Sequence, residues 1–371
     1  MKVVQLSSVH PSNDTRIFYK ICTSLVKAGF DVDLIIQHRK NEIKNKINII
    51  ALPVAKKKSD RLFKIIPVLI KKCLKYPKNT IIHFHDPELI PIGFLLKVFG
   101  YKIIYDVHED VPADLSCKPW IPKILRYPVA FIAGALEKVG ILIFDSIITV
   151  DPNGEKRLRS KKTILIQNFP IITPIESSIS KEYNPKGDLF YVGDISEIRG
   201  IREMVKCVEM ISQRKEIRLI LAGKFSPPSL KDELMNYKGW ENTNFVGWIN
   251  RLELNDYLSR SSIGLLLLYP EPHHVRSQPN KLFEYMYGGI PIVSANLPTY
   301  KQIVEESSCG LTVDPKNLDE VVDAVTWLLE NPLKAKEMGR NGKEAVIKNY
   351  NWTQEEKKLV QLYKYLTNKY Y

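Results

Sequence analysis

The chain has 371 residues, 44% apolar and 26% charged, the balance of a globular protein too long for one ordinary core, so two domains are expected. No uncharged apolar run reaches the roughly 18 residues of a spanning helix, and five scattered cysteines (22, 73, 117, 207, 309) without a C-x-x-C spacing indicate neither disulfides nor a zinc site. The net charge of +13 falls in residues 1–170, with 28 Lys and Arg against 15 Asp and Glu, whereas residues 171–371 hold 26 of each; the first half therefore calls for an anionic partner.

In chain order, MKVVQLSSV enters strand text with no signal-peptide core, which suits a cytoplasmic location. VVQL (3–6) leads to a helix near 15–29 and then to DVDLIIQ (31–37). INIIALP, a basic helical stretch over 55–78, TIIHFH (80–85), KIIYDVH (102–108), SIITV (146–150) and TILIQN (163–168) continue the alternation. Short apolar runs separated by helices predict a parallel sheet covered on both faces. After a proline-rich, aperiodic stretch the pattern restarts with DLFYVG (188–193), IRLILAG (217–223), NFVG (244–247), SIGLLLL (262–268), IPIVSA (290–295) and GLTV (310–313). The expected organisation is a first domain over 1–170, a linker over 171–187, a second domain over 188–350, and a helix over 351–371 that packs back across the domains. The fold class is α/β, two doubly wound Rossmann-like domains, with a ligand expected between them at the carboxyl ends of the strands.

SQPNKLFEYMYGGIPI (277–292) reads as a turn, a short helix starting at Pro279 and Asn280, a glycine stop and a buried strand. The unpaired N–H groups of that helix start, with Lys281 in the same turn, suit a phosphate; a ribose one turn further on would meet Glu284. A solvent-facing glutamate on an amphipathic helix is the plain alternative. GDISEIRGI (193–201) places Gly193 where the backbone turns and Arg199 where it can reach a ligand. Gly223 and Gly247 also end strands, and Trp248 could stack on a base or simply lie in a loop. IIYDVHEDVP (103–112) sets His108 beyond a strand beside Asp106, Glu109 and Asp110. In HFHDPELIP (83–91), Asp86 is expected to cap the helix that opens with Pro87. The D-x-D spelling of Asp31 and Asp33 lies inside strand text and reads as accidental rather than metal-binding.

These motifs resemble family 4 glycosyltransferases, of the bacterial polysaccharide, capsule and O-antigen type, which have the two-Rossmann GT-B fold. FYVGDISEIRGI resembles their strand–glycine loop, NKLFEYMYGGIPIV the stretch around the second Glu of their E-x7-E motif, YDVHEDVP the segment with their active-site His, and HPSNDTRIFYK (10–20) an acceptor loop. The resemblance implies a retaining, metal-independent transfer from a UDP- or GDP-linked sugar to a saccharide, lipid-linked acceptor, with no cofactor and no nucleic acid as partner. It implies that Glu284 and Asn280 meet the nucleoside, that Lys281, Arg199 and Gly193 meet the diphosphate, and that Gly223 and Trp248 line the nucleotide pocket. His108 would contact the transferred sugar, and Asn13, Asp14, Arg16 and Glu109 would face the acceptor. The basic first domain would rest on the anionic inner face of the plasma membrane. Two departures stand out: Arg276 occupies the place of the first motif Glu, with Glu271 the nearest upstream carboxylate, and Asp194 replaces a basic residue after Gly193. A nucleotide-sugar 2-epimerase or a non-catalytic sugar-nucleotide binder are the competing readings.

Overall fold

The computed structural model describes residues 1–55, 57, 60–117, 121–172 and 188–368, together with the backbone but not the side chains of Leu62, Cys117 and Arg276. Residues 173–187 of the expected linker, residues 56, 58 and 59 of the expected basic helical stretch, and residues 118–120 lie outside the described residues. The chain divides into two compact units, Met1–Ile171 with Trp352–Tyr371, and Ile172–Asn351.

The first unit holds β1 (Lys2–Leu6), β2 (Asp31–Gln37), β3 (Glu42–Lys44), β4 (Ile47–Leu52), β5 (Ile81–Phe84), β6 (Lys102–Val107), β7 (Ser146–Thr149) and β8 (Thr163–Leu165). They form one sheet in the order β3-β4-β2-β1-β5-β6-β7-β8, parallel except for β3 against β4. Its helices are α1 (Thr15–Cys22, wound with wide π-type turns and running on through Thr23–Lys27), α2 (Ile66–Cys73), α3 (Ile90–Val98), α4 (Val111–Cys117), α5 (Lys123–Ile143) and α6 (Pro152–Leu158).

Strand alternation divides the core between the two faces. Val3, Ile81, Ile104 and Ile148 pack on one side with Ile17 and Phe18 of α1. Val4, Ile82, Ile103 and Ile147 pack on the other with Leu69 of α2 and Leu96 of α3. The last helix of the chain, Trp352–Asn368, joins the first of these faces through Trp352, Leu359, Leu362 and Tyr363, and Trp352 Nε1 donates to Ser24 Oγ at 2.9 Å. Each such buried side chain is worth about 1.5–3 kcal/mol. Asp31 and Asp33 sit at the amino end of β2, where Lys2 binds both and Asn48 donates to Asp33. They are a structural ion cluster at the end of the sheet remote from the loops that carry His108.

The second unit holds β9 (Asp188–Ile195), β10 (Arg218–Phe225), β11 (Thr243–Gly247), β12 (Ile263–Leu266), β13 (Ile292–Ala295) and β14 (Gly310–Val313), all parallel, in the order β11-β10-β9-β12-β13-β14. Its helices are α7 (Ile201–Ser212), α8 (Leu230–Leu234), α9 (Arg251–Arg260), α10 (Pro272–Arg276), α11 (Asn280–Gly288), α12 (Pro298–Glu306), α13 (Leu318–Glu330) and α14 (Pro332–Lys348), so that the chain's last helix is α15. The interruption of the strand order between β9 and β12 is the kind of switch point at which open α/β sheets bind ligands. Parallel pairing sets Gly193 of β9 directly beside Gly223 of β10.

Candidate functional site

In the second unit the carboxyl ends of β9 and β10 are stripped of side chains by that glycine pair. Gly193 has φ +135° and Gly223 φ +143°, conformations that cost an L-residue dearly. A Cβ on Gly223 would strike the Gly193 carbonyl, and one on Gly193 would strike Cε and Nζ of Lys281. Lys281 enters from the first turn of α11, whose amino end carries no side-chain cap. Its ammonium lies 3.3 Å from the Tyr191 hydroxyl and 4.7 Å from that ring's centroid. Burial of the amine, reinforced by the Arg199 charge and only partly offset by Glu284 and Asp194, draws its pKa down to about 7. A lysine held that low is a cation short of a counter-ion.

Arg199 ends the short turn Glu197–Arg199, and its Nε is buried without a hydrogen-bond partner. Glu284 is half-buried one turn beyond Lys281. Five expected residues thus converge: Gly193, Gly223, Arg199, Lys281 and Glu284. Asn280 opens α11 and is exposed, and Trp248 is 77% exposed in the loop after β11. The side chain of Arg276 lies outside the described residues, while Glu271 stands at the start of α10.

His274 was not singled out by the sequence reading. It is 1% exposed, its Nδ1 lies 2.9 Å from the Tyr269 carbonyl, and its Nε2 has no partner. Because a carbonyl only accepts, Nδ1 carries the proton and Nε2 presents a lone pair. Burial, opposed only by the bond to Tyr269, and the charges of Arg199, His273 and Lys281 push its pKa down to about 4. The paired histidines in the short helix α10, shortly after β12, were the available signal.

In the first unit Asp106 is fully buried at the end of β6 and receives a two-pronged clamp from Arg16, Nε to Oδ2 and NH2 to Oδ1, each at 2.8 Å. Burial alone would raise this carboxyl, but Arg16 and His108 outweigh it and hold it well below the usual carboxylate range. His108 donates Nε2–H to Asp106 at 3.0 Å and keeps 20% of its side chain exposed, which leaves Nδ1 for other work. His85 lies 3.1 Å from the same carboxylate, and the Gln5 amide links it to the Tyr363 hydroxyl of α15.

Two expectations are corrected here. Arg16, expected at the acceptor, is 3% exposed and clamps Asp106 through Nε and NH2, because a buried carboxylate requires a paired cation; its NH1 has no hydrogen-bond partner. Asp86, expected as a helix cap, makes no cap bond; it accepts instead from Ser8 N at 2.6 Å and Ser7 Oγ at 2.9 Å.

Asp14 does cap α1, accepting from Arg16 N and Ile17 N at 2.8 Å. It also lies 3.3 Å from Nδ1 of His10, whose Nε2 is 3.4 Å from Asp86 and whose ring centroid is 5.3 Å from that of His108. His10, unassigned by the sequence reading, therefore stands beside His108, four residues before the cap. Asn13 and Glu109 are exposed at the same loops. His83, His85 and Asp106 place possible ligand atoms within 4.8 Å of one another. Their donor set does not suit a metal, since both Asp106 oxygens are taken and the guanidinium opposes a second cation.

Residues 173–345 match the family described as glycosyl transferases group 1. That match lies within the second unit. An uncharacterised glycosyltransferase of Haemophilus influenzae is 24% identical to this chain over 333 residues, covering 85% of it and 86% of that protein. Sucrose-phosphate synthase from Thermosynechococcus elongatus has a TM-score of 0.77 at 20% identity, covering 98% of each chain. HepE of Anabaena, solved with UDP-glucose, has 0.71 at 12% identity, covering 98% of this chain and 99% of its own. At such identities the solved structures speak for the fold alone, and the fold class is GT-B. The chain spans under half the length of the first curated relatives that it matches. The matched residues include Lys281, Arg199 and the glycine pair.

Proposed function

We propose that the protein transfers a sugar, with retention and without a metal, from a UDP- or GDP-linked donor to a lipid-linked saccharide in cell-surface polysaccharide synthesis, working at the cytoplasmic face of the membrane. The reading rests above all on Lys281: a half-buried lysine beside Arg199, at an uncapped helix start and against a glycine that keeps the approach open. That is the electrostatic demand of a diphosphate. As the anomeric C–O bond breaks, negative charge grows on the leaving diphosphate, and Lys281, Arg199 and the α11 dipole would stabilise it in place of a metal ion. A phosphate oxygen would take the proton of the attacking hydroxyl, while His108 holds the transferred sugar. Glu284 would accept from ribose hydroxyls. The UDP-glucose complex of the Anabaena protein supports a uridine donor by fold likeness.

A thermal-shift panel of UDP- and GDP-hexoses, followed by turnover assays with and without EDTA, tests this. A rise in Tm with one donor and EDTA-insensitive transfer are expected. If no nucleotide raised Tm, or a new nucleotide sugar formed without acceptor, the reading would fail.

A further inference from the structure

Helix α5 is built the reverse of an ordinary surface helix. It meets the rest of its unit through small or spent side chains: Ala130 and Gly140 are buried, Gly134 faces Pro112, and buried Glu137 is taken by Arg157. Its large apolar side chains point away: Ile124 is 87% exposed, Tyr127 79%, Phe131 78%, Ile132 58% and Leu142 76%. Stepping about 100° per residue, these and their neighbours sweep an outward arc of about 200°. The ten residues Tyr127–Leu136 include no charge. Beside it, α3 ends in Val98 and Phe99, 84% and 45% exposed.

The charges that remain on this face share one sign. Lys138 lies on the arc and Lys123 is exposed at the amino end of α5, whereas half-buried Arg126 donates to the Ile121 carbonyl; the one acid of α5, Glu137, is turned inward at 2% exposure. Lys162 closes the carboxyl end by donating to the Leu142 and Phe144 carbonyls at 2.8 and 2.9 Å. Among the described residues no helix is long and apolar enough to cross a membrane, so α5 would lie along a surface rather than span one.

We infer that the outward face of α5 docks the first unit onto an anionic lipid bilayer, its apolar arc among the acyl chains and its cations among the headgroups. This rests on, and deepens, the lipid-linked acceptor proposed above. A second copy of the chain is the poorer occupant: one partner helix covers much less than the exposed arc, and a copy of the same positive sign neutralises none of its charge. A bilayer meets the whole arc, and anionic headgroups match the net charge of +13 held in residues 1–170.

Flotation of the full chain with phosphatidylcholine vesicles, plain or carrying about 30% phosphatidylglycerol, tests this. Binding to the anionic vesicles at least tenfold above the plain ones is expected, falling at least tenfold in Phe131→Ser/Ile132→Ser and severalfold in Lys138→Glu. Unchanged Tm verifies folding, and Ile124→Ser serves if the double variant does not fold. Equal partitioning of the variants and the parent would overturn the inference, as would a parent that ignores anionic lipid. Self-association lost in the double variant, without vesicle binding, would overturn it in favour of a homodimer. The UDP thermal shift, which does not involve α5, reports separately on the donor reading.

Discussion

Lys281 offers the sharpest test, because its charge state and its ligand are coupled. With a pKa drawn down to about 7 in the free protein, the amine is half protonated at neutral pH. A bound diphosphate supplies the missing counter-charge and returns the pKa towards the ordinary 10.5, so binding takes up a proton. If only the ammonium form binds, linkage makes affinity fall by up to about tenfold per pH unit above 7, a ceiling of about 100-fold between pH 6 and 9. The direct contact sets a second bound: one charge-assisted hydrogen bond contributes about 1.5–3 kcal/mol, roughly 10- to 150-fold in Kd. Calorimetry of UDP binding across that range, in buffers of different ionisation enthalpy, reads both affinity and proton uptake. Lys281→Gln is expected to weaken UDP by about 10- to 100-fold and to flatten the pH profile. In the ligand-free protein the sign is opposite. A depressed lysine pKa makes the unfolded chain bind more protons, so this group's contribution to folding stability rises between about pH 7 and 10.5. A Lys281→Gln protein that kept the parent's affinity and pH slope would refute the assignment.

Glu284→Ala should weaken UDP by about tenfold or more while leaving inorganic pyrophosphate nearly unaffected, since only the nucleotide carries the ribose; competition binding separates the two. Arg16→Met should cost about 3–5 kcal/mol of stability by orphaning the buried Asp106 carboxylate, and Asp106→Asn should orphan the guanidinium in turn; denaturant unfolding measures both. His10 is desolvated, yet Asp14 and Asp86 raise its pKa above 6.5, so its stabilising charge is complete below pH 6.5 and lost as pH rises through the folded-state value. Imidazole NMR titration should show this, and Asp14→Asn should lower the His10 pKa.

Alternation of apolar runs with helical periods was enough to declare two Rossmann-like sheets, because strand and helix periods are local properties of the chain. The positions of Lys281, Glu284, Gly193 and Arg199 were legible for a similar reason: helix starts and strand-end glycines are marked by residues within a few positions of one another. Tertiary structure decided the rest. Arg16 and Asp106 are 90 residues apart, and nothing local shows that β6 buries the carboxylate beneath α1, which turns an exposed-looking arginine into its clamp. Asp86 has the spelling of a cap, but parallel pairing of β5 with β1 brings Ser7 and Ser8 to it first. The depressed charge of Lys281 and the unpaired nitrogen of His274 depend on how much water neighbouring strands exclude. In α5, likewise, only packing shows the small residues turned inward and the large apolar ones outward. Periodicity and spelling are short-range and survive in one dimension, whereas desolvation and long-range pairing exist only once distant segments have been brought together.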